Sequence, residues 1–87
     1  MFKVVRKDEG FMKIEPIFTL QIDEDEYISA TTEVNITAER AADGYSTQIF
    51  EGLFTSCNEE GVYIEVGEDE SCVVYIEFEE ILEIKAI

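Results

Sequence analysis

Apolar and polar residues alternate along most of this chain. The clearest stretch runs from Tyr27 to Glu39, with Ile28, Ala30, Thr32, Val34, Ile36 and Ala38 on one side and Tyr27, Ser29, Thr31, Glu33, Asn35, Thr37 and Glu39 on the other. That period of two is the signature of a strand with one face buried. The same alternation marks Ile17 to Asp23, Tyr45 to Thr55, Val62 to Val66 and Cys72 to Phe78, all rich in β-branched and aromatic residues. Two shorter apolar stretches, Phe2 to Arg6 and Phe11 to Glu15, read as strands around Asp8-Glu9-Gly10, with Pro16 marking a break before the next. A competing reading of Thr37 to Ala42 is a one-turn helix capped by Thr37 and ended by Gly44, against which the alternation continues through Ala38.

Polar clusters of turn length separate the runs: Asp23-Glu24-Asp25-Glu26, Ala41-Ala42-Asp43-Gly44, Asn58-Glu59-Glu60-Gly61 and Gly67-Glu68-Asp69-Glu70-Ser71. Gly44 and Gly61 stand where a turn most easily takes a positive φ. The predicted fold is therefore all-β: an antiparallel meander of five to seven strands. Gly52 interrupts the alternation in Ile49-Phe50-Glu51-Gly52-Leu53-Phe54 and predicts a bulge or sharp bend. Such a bend lets the sheet roll into a small, partly open barrel. With 87 residues, 46% of them apolar, the chain is expected to fold as one domain over residues 1–87.

Register follows from the turns. Cys57 is expected opposite Val62, Val66 opposite Cys72 and Ile64 opposite Val74, which sets Tyr63 across from Tyr75 on the outward face, with Glu65 and Glu77 on the same surface. Four residues along the sheet then separate the two cysteines at about 3.4 Å each, beyond the roughly 7 Å between Cα atoms that a disulfide spans. Two reduced thiols are expected. At the carboxyl end, Gly61 to Val66, Cys72 to Phe78, Glu79-Glu80-Ile81 and Leu82 to Lys85 read as strand, strand, tight turn, strand. That order, over about a third of the chain, resembles the last half of small Sm-like barrels. The resemblance implies a barrel and carries no function.

Charge changes the picture more than composition does. The chain holds 21 Asp and Glu against 6 Lys and Arg, a formal charge of −15. Lys3, Arg6, Lys7 and Lys13 are all amino-terminal, so only Arg40 and Lys85 oppose the acids that follow. A field of this kind costs stability through self-repulsion and bears on solubility, association rate and choice of partner. Solvated turns and charged strand edges that resist aggregation account for any single cluster. They do not account for the one-sidedness, because mixed signs would protect edges equally well.

The same charge excludes partners. DNA and RNA are bound largely through cations that neutralise phosphates, and anionic lipid surfaces would repel the chain. The amino terminus has no apolar run of signal-peptide length, and no stretch approaches the eighteen or so apolar residues of a membrane span, so a soluble, cytoplasmic protein is expected. There is no histidine, hence no Ser-His or Cys-His nucleophile arrangement, and among so many acids a carboxylate pair has no diagnostic value. The acidic loops lack the twelve-residue calcium pattern, and two separated cysteines cannot build a zinc site. No catalytic activity, metal or cofactor is expected.

What remains is a protein-binding role. Consecutive turns of a meander alternate between its ends, which groups Asp23, Glu24, Asp25 and Glu26 with Glu59 and Glu60 at one end, and Asp43 with Glu68, Asp69 and Glu70 at the other. Tyr63 and Tyr75 among Glu65 and Glu77 make an aromatic and acidic patch suited to a protein interface, or a simple cross-strand packing pair. The leading expectation is an inhibitor that mimics nucleic acid: its carboxylates stand in for phosphates in the basic groove of a nucleic-acid-binding protein. In size and charge the chain resembles the small acidic inhibitors that phages and mobile elements use against nucleases and CRISPR effectors. The alternative is a non-catalytic structural or adaptor domain that docks a basic partner or self-associates through an exposed strand edge.

Overall fold

A computed structural model describes residues 2–5, 18–67 and 72–87. Two antiparallel sheets account for it. The first has three strands in the order β1 (Lys3–Val5), β2 (Thr19–Asp23) and β3 (Glu26–Ser29). The second contains β4 (Thr32–Glu39), β5 (Thr47–Cys57), β6 (Gly61–Val66), β7 (Cys72–Glu77) and β8 (Ile81–Ala86), in the order β7-β6-β5-β4-β8. The expected strand over Phe11 to Glu15 and the acids Glu68, Asp69 and Glu70 lie outside the described residues.

The alternation is what joins the sheets. Leu20, Ile22 and Ile28 of the small sheet share one buried cluster with Val34, Ile36, Ala38, Phe54, Cys57, Val62, Ile64, Ile76, Ile81 and Ile84 of the large one. Each fully buried aliphatic or aromatic side chain in such a cluster contributes about 1.5–3 kcal/mol relative to exposure. Strands β4 to β7 form the expected meander. Then the three-residue 3-10 turn Phe78–Glu80 returns the chain to the far side of the sheet, where β8 pairs with β4. Because that short turn connects the two edge strands, the sheet has to curl, and the result is the partly open barrel. Strand, three-residue turn and strand follow one another here as the sequence pattern predicts.

Two expectations need correction. The long strand from Tyr27 to Glu39 is two strands in different sheets. The chain turns at Ala30 and Thr31, with Thr31 at φ 71°, its amide donating to the Phe54 carbonyl at 2.8 Å and that of Ala30 to Phe18 at 2.9 Å. A two-residue turn preserves parity, so Ile28 and Val34 both still face the core and the period of two runs through the break unmarked.

The bulge expected at Gly52 lies instead at Thr55, where the β5–β6 register shifts between Phe54 and Ser56. The extra residue reverses the parity of β5, so Cys57 rather than Ser56 turns inward against Val62. Gly52 marks a close approach: a Cβ there would run into the Glu65 carbonyl oxygen and meet Val66 Cγ1 at 2.9 Å. In the Thr37 to Ala42 segment the strand extends to Glu39. A short 3-10 turn follows at Ala41–Asp43, ended by Gly44 at φ 66° as expected, whereas Gly61 opens β6 without the positive φ expected of it.

Candidate functional site

The outward face of the five-stranded sheet can be mapped from its registers. Tyr63 pairs with Tyr75, Gly61 with Glu77 and Glu65 with Val73, as the turns predicted. One row further, Glu65 pairs with Leu53 and Leu53 with Glu33, while Glu51 pairs with Asn35 and Asn35 with Lys85. The face thus carries two tyrosines, the apolar side chains of Leu53 and Val73, and Glu33, Glu51, Glu65 and Glu77. Val73 is 61% exposed and Ile49, on the same side of β5, 70% exposed.

The tyrosines are fixed in place. Their ring centroids lie 4.7 Å apart at an interplanar angle of 43°, and the Tyr75 hydroxyl donates to Asn58 Oδ1 at 3.2 Å. That oxygen also accepts from the amides of Glu60 at 2.7 Å and Gly61 at 2.9 Å, so one asparagine side chain shapes the β5–β6 turn and anchors the aromatic pair. Gly61 is required beneath the ring: a Cβ there would run into the Ile76 carbonyl oxygen and meet Tyr75 Cζ at 2.8 Å. The Tyr75 phenol is raised above its ordinary value, first by burial. The Asn58 hydrogen bond works the other way, and nearby Glu60, Tyr63 and Glu77 add to the rise. Glu60, Tyr63, Tyr75 and Glu77 therefore form one electrostatic neighbourhood, with Glu65 two residues along β6 from Tyr63.

The remaining acids of the expected site lie on two turns. Asp23, Glu24, Asp25 and Glu26 are all exposed at the β2–β3 turn of the small sheet, where Asp23 Oδ1 accepts from the Glu24 amide at 2.7 Å. Grouping them with Glu59 and Glu60 assumed a single strand from Tyr27 to Glu39. The turn at Thr31 shifts that count by one and removes its basis. Glu59 is exposed on the β5–β6 turn. Asn58 was not singled out from the sequence, although an asparagine three residues before a turn glycine is a known signal for a side chain that bonds its own turn.

A groove of about 410 Å³ opens on the same face, lined by Glu33, Glu51 and Glu65 with Leu53, Ile87 and the glycines 52 and 67. It is drawn from three adjacent strands, which is why no sequence motif announces it. Opposing cations are few. Lys85 lies 3.4 Å from Glu83. Arg40 is held off this face, 3.8 Å from Asp43 and over the Phe50 ring at 5.4 Å.

Cys57 is buried and Cys72 exposed, and they form no disulfide. Among the described residues no cluster of three or more His, Cys, Asp or Glu could hold a metal ion, and no helix is long and apolar enough to cross a membrane. No family model, no curated protein and no solved structure matches the chain.

Proposed function

We propose that this protein is a small acidic inhibitor that docks on a basic protein and occupies the groove in which that partner binds nucleic acid. The reading rests on one observation: a clamped Tyr63–Tyr75 pair surrounded by Glu60, Glu65 and Glu77 on a rolled, hydrogen-bonded sheet. Paired aromatic rings supply anchors of the kind that carry most of an interface's affinity. The carboxylates around them supply complementarity to lysine and arginine, which speeds association and fixes register.

Spacing supports mimicry. Diagonal neighbours across strands lie about 7–8 Å apart, and Glu51 is diagonal to both Glu33 and Glu65. Successive phosphates of one nucleic-acid strand are roughly 6–7 Å apart, so the acids fall near the interval that a phosphate-binding groove accepts. The β2–β3 turn, with Asp23, Glu24, Asp25 and Glu26, extends the anionic surface beyond the sheet. The protein would act in the cytoplasm, as phage counter-defence inhibitors do, without binding nucleic acid or membrane itself.

Capture of partners from a nuclease-rich lysate tests the reading, repeated at rising salt and with excess duplex DNA. Bound basic proteins should be released by both. Retention of the same proteins in excess DNA would remove mimicry. A second reading, a structural or adaptor domain, is favoured by the edge position of β7 with Val73 exposed upon it. A concentration-dependent oligomer in light scattering, with no basic partner bound, would select it.

A further inference from the structure

We infer that the groove beside the tyrosines receives an arginine side chain of the partner. This rests on the reading of the sheet as a docking face for a basic protein, and it adds which residue type that partner presents and where.

The groove's centre is apolar. Leu53 sits between Glu33 on one neighbouring strand and Glu65 on the other. Ile87, 63% exposed, is tied alongside by its amide, which donates to the Glu33 carbonyl at 2.9 Å. Carboxylates stand on three sides of Leu53: Glu33 and Glu65 across the strands, and Glu51 two residues along β5. Strands in a sheet lie about 4.8 Å apart, so Glu33 and Glu65 are anchored roughly 10 Å from one another, and a Glu side chain can reach inward from either side. Lys85 is the one cation on this face among the described residues, and it lies against Glu83. The groove therefore presents a negative potential that the cations among the described residues do not neutralise.

The occupant must combine positive charge with an apolar body. A bare divalent ion fits poorly, because the three glutamates are not close enough together to form a metal cluster. Lysine offers one compact, strongly hydrated charge. Arginine offers five donors in a planar fork, weaker hydration and flat faces that lie on aliphatic surface. Three carboxylates spaced around the apolar floor of Leu53 and Ile87 match the fork and not the point charge. The volume of about 410 Å³ lies at the lower end of the range for small-ligand sites, roughly 300–1,000 Å³, which suits one side chain with its flanking backbone.

The test uses the full chain and three blocked peptides, Gly-Gly-X-Gly-Gly with X arginine, lysine or citrulline, followed by amide chemical shifts. The arginine peptide should move the amides of Gly52, Gly67 and Ile87 and bind about tenfold more tightly than the lysine peptide, while the citrulline peptide leaves them still. Glu33→Gln, Glu51→Gln and Glu65→Gln together should abolish the response, and Glu60→Gln with Glu77→Gln should leave it intact. Equal responses to arginine and lysine, or shifts scattered over the whole acidic surface including the Asp23 to Glu26 turn, would overturn the inference. Capture of a DNA-displaceable partner alongside a silent groove would sink this inference alone. A responsive groove without any such partner would sink the proposed function and leave the arginine site standing.

Discussion

The hydroxyl of Tyr75 donates to Asn58 Oδ1 across 3.2 Å, and the oxygen it reaches is the one that closes the β5–β6 turn. Turn geometry and aromatic presentation are therefore a single construction. Asn58→Ala removes three acceptor contacts at once and should destabilise the fold by about 1–3 kcal/mol. Tyr75→Phe removes one and should cost about 0.5–1.5 kcal/mol. Urea titrations of the two variants check the order. Equal effects would mean that the turn does not depend on the asparagine.

The same phenol sets an alkaline limit. Its pKa in the folded state lies above the ordinary value of 10.0, chiefly because burial disfavours the charged form. A raised pKa stabilises the fold fully below that ordinary value, and the contribution disappears as pH climbs through the raised one. Unfolding free energy should fall above about pH 10, and Tyr75→Phe should flatten that fall. Chemical denaturation between pH 8 and pH 11.5 measures both slopes.

Close backbone approach makes two glycines irreplaceable. Gly52→Ala drives a methyl group into the Glu65 carbonyl, and Gly61→Ala drives one into the Ile76 carbonyl and the Tyr75 ring. Overpacking of this sort costs about 1–3 kcal/mol. Gly44→Ala meets no atom within 4 Å and is penalised through its positive φ alone, by about 1–2 kcal/mol. Thermal melts should show all three lowered, with Gly61→Ala also disturbing near-ultraviolet circular dichroism from the tyrosines, which Gly44→Ala leaves unchanged.

Thr31 offers the opposite sign. A β-branched residue at φ 71° carries a steric cost of about 1–2 kcal/mol, which glycine avoids while giving back about 0.5–1 kcal/mol in chain entropy. Thr31→Gly should therefore stabilise the protein by up to about 1 kcal/mol, since the amide bonded to Phe54 is retained. A lower melting temperature would mean that the threonine methyl packs better than its backbone is strained.

Strand identity was legible where turn chemistry and parity agree. Between β6 and β7 the apolar positions 62, 64 and 66 and 72, 74 and 76 admit one register, which is why the Tyr63 and Tyr75 opposition could be read from the sequence. The break at Thr31 could not, because two residues of turn leave every side chain on its expected face. The bulge at Thr55 was misplaced onto Gly52, since glycine signals both a bulge and a close approach and only the partner strand distinguishes them. The groove needed the registers of β4, β5 and β6 together, and Glu33, Leu53 and Glu65 are twenty and twelve residues apart in sequence.

Charge repulsion across the acid-rich surface should make the fold salt-dependent. Exposed charges farther apart than about 8 Å are screened at physiological ionic strength, so the melting temperature at neutral pH should rise between 10 mM and 500 mM sodium chloride. A flat profile would mean that the acids are spaced widely enough to ignore one another.

The aromatic and acidic sheet face is proposed as a competitor of nucleic acid. The direct measurement is displacement of a labelled DNA duplex from the captured basic partner, followed by fluorescence anisotropy as this protein is added. The result expected is complete competitive displacement, weakened at least about tenfold by Tyr63→Ala, as befits an anchor worth 1–2 kcal/mol or more, and weakened again when Glu65→Gln and Glu77→Gln are combined with it. Simultaneous binding of duplex and protein to the partner, or displacement indifferent to these substitutions, would contradict it.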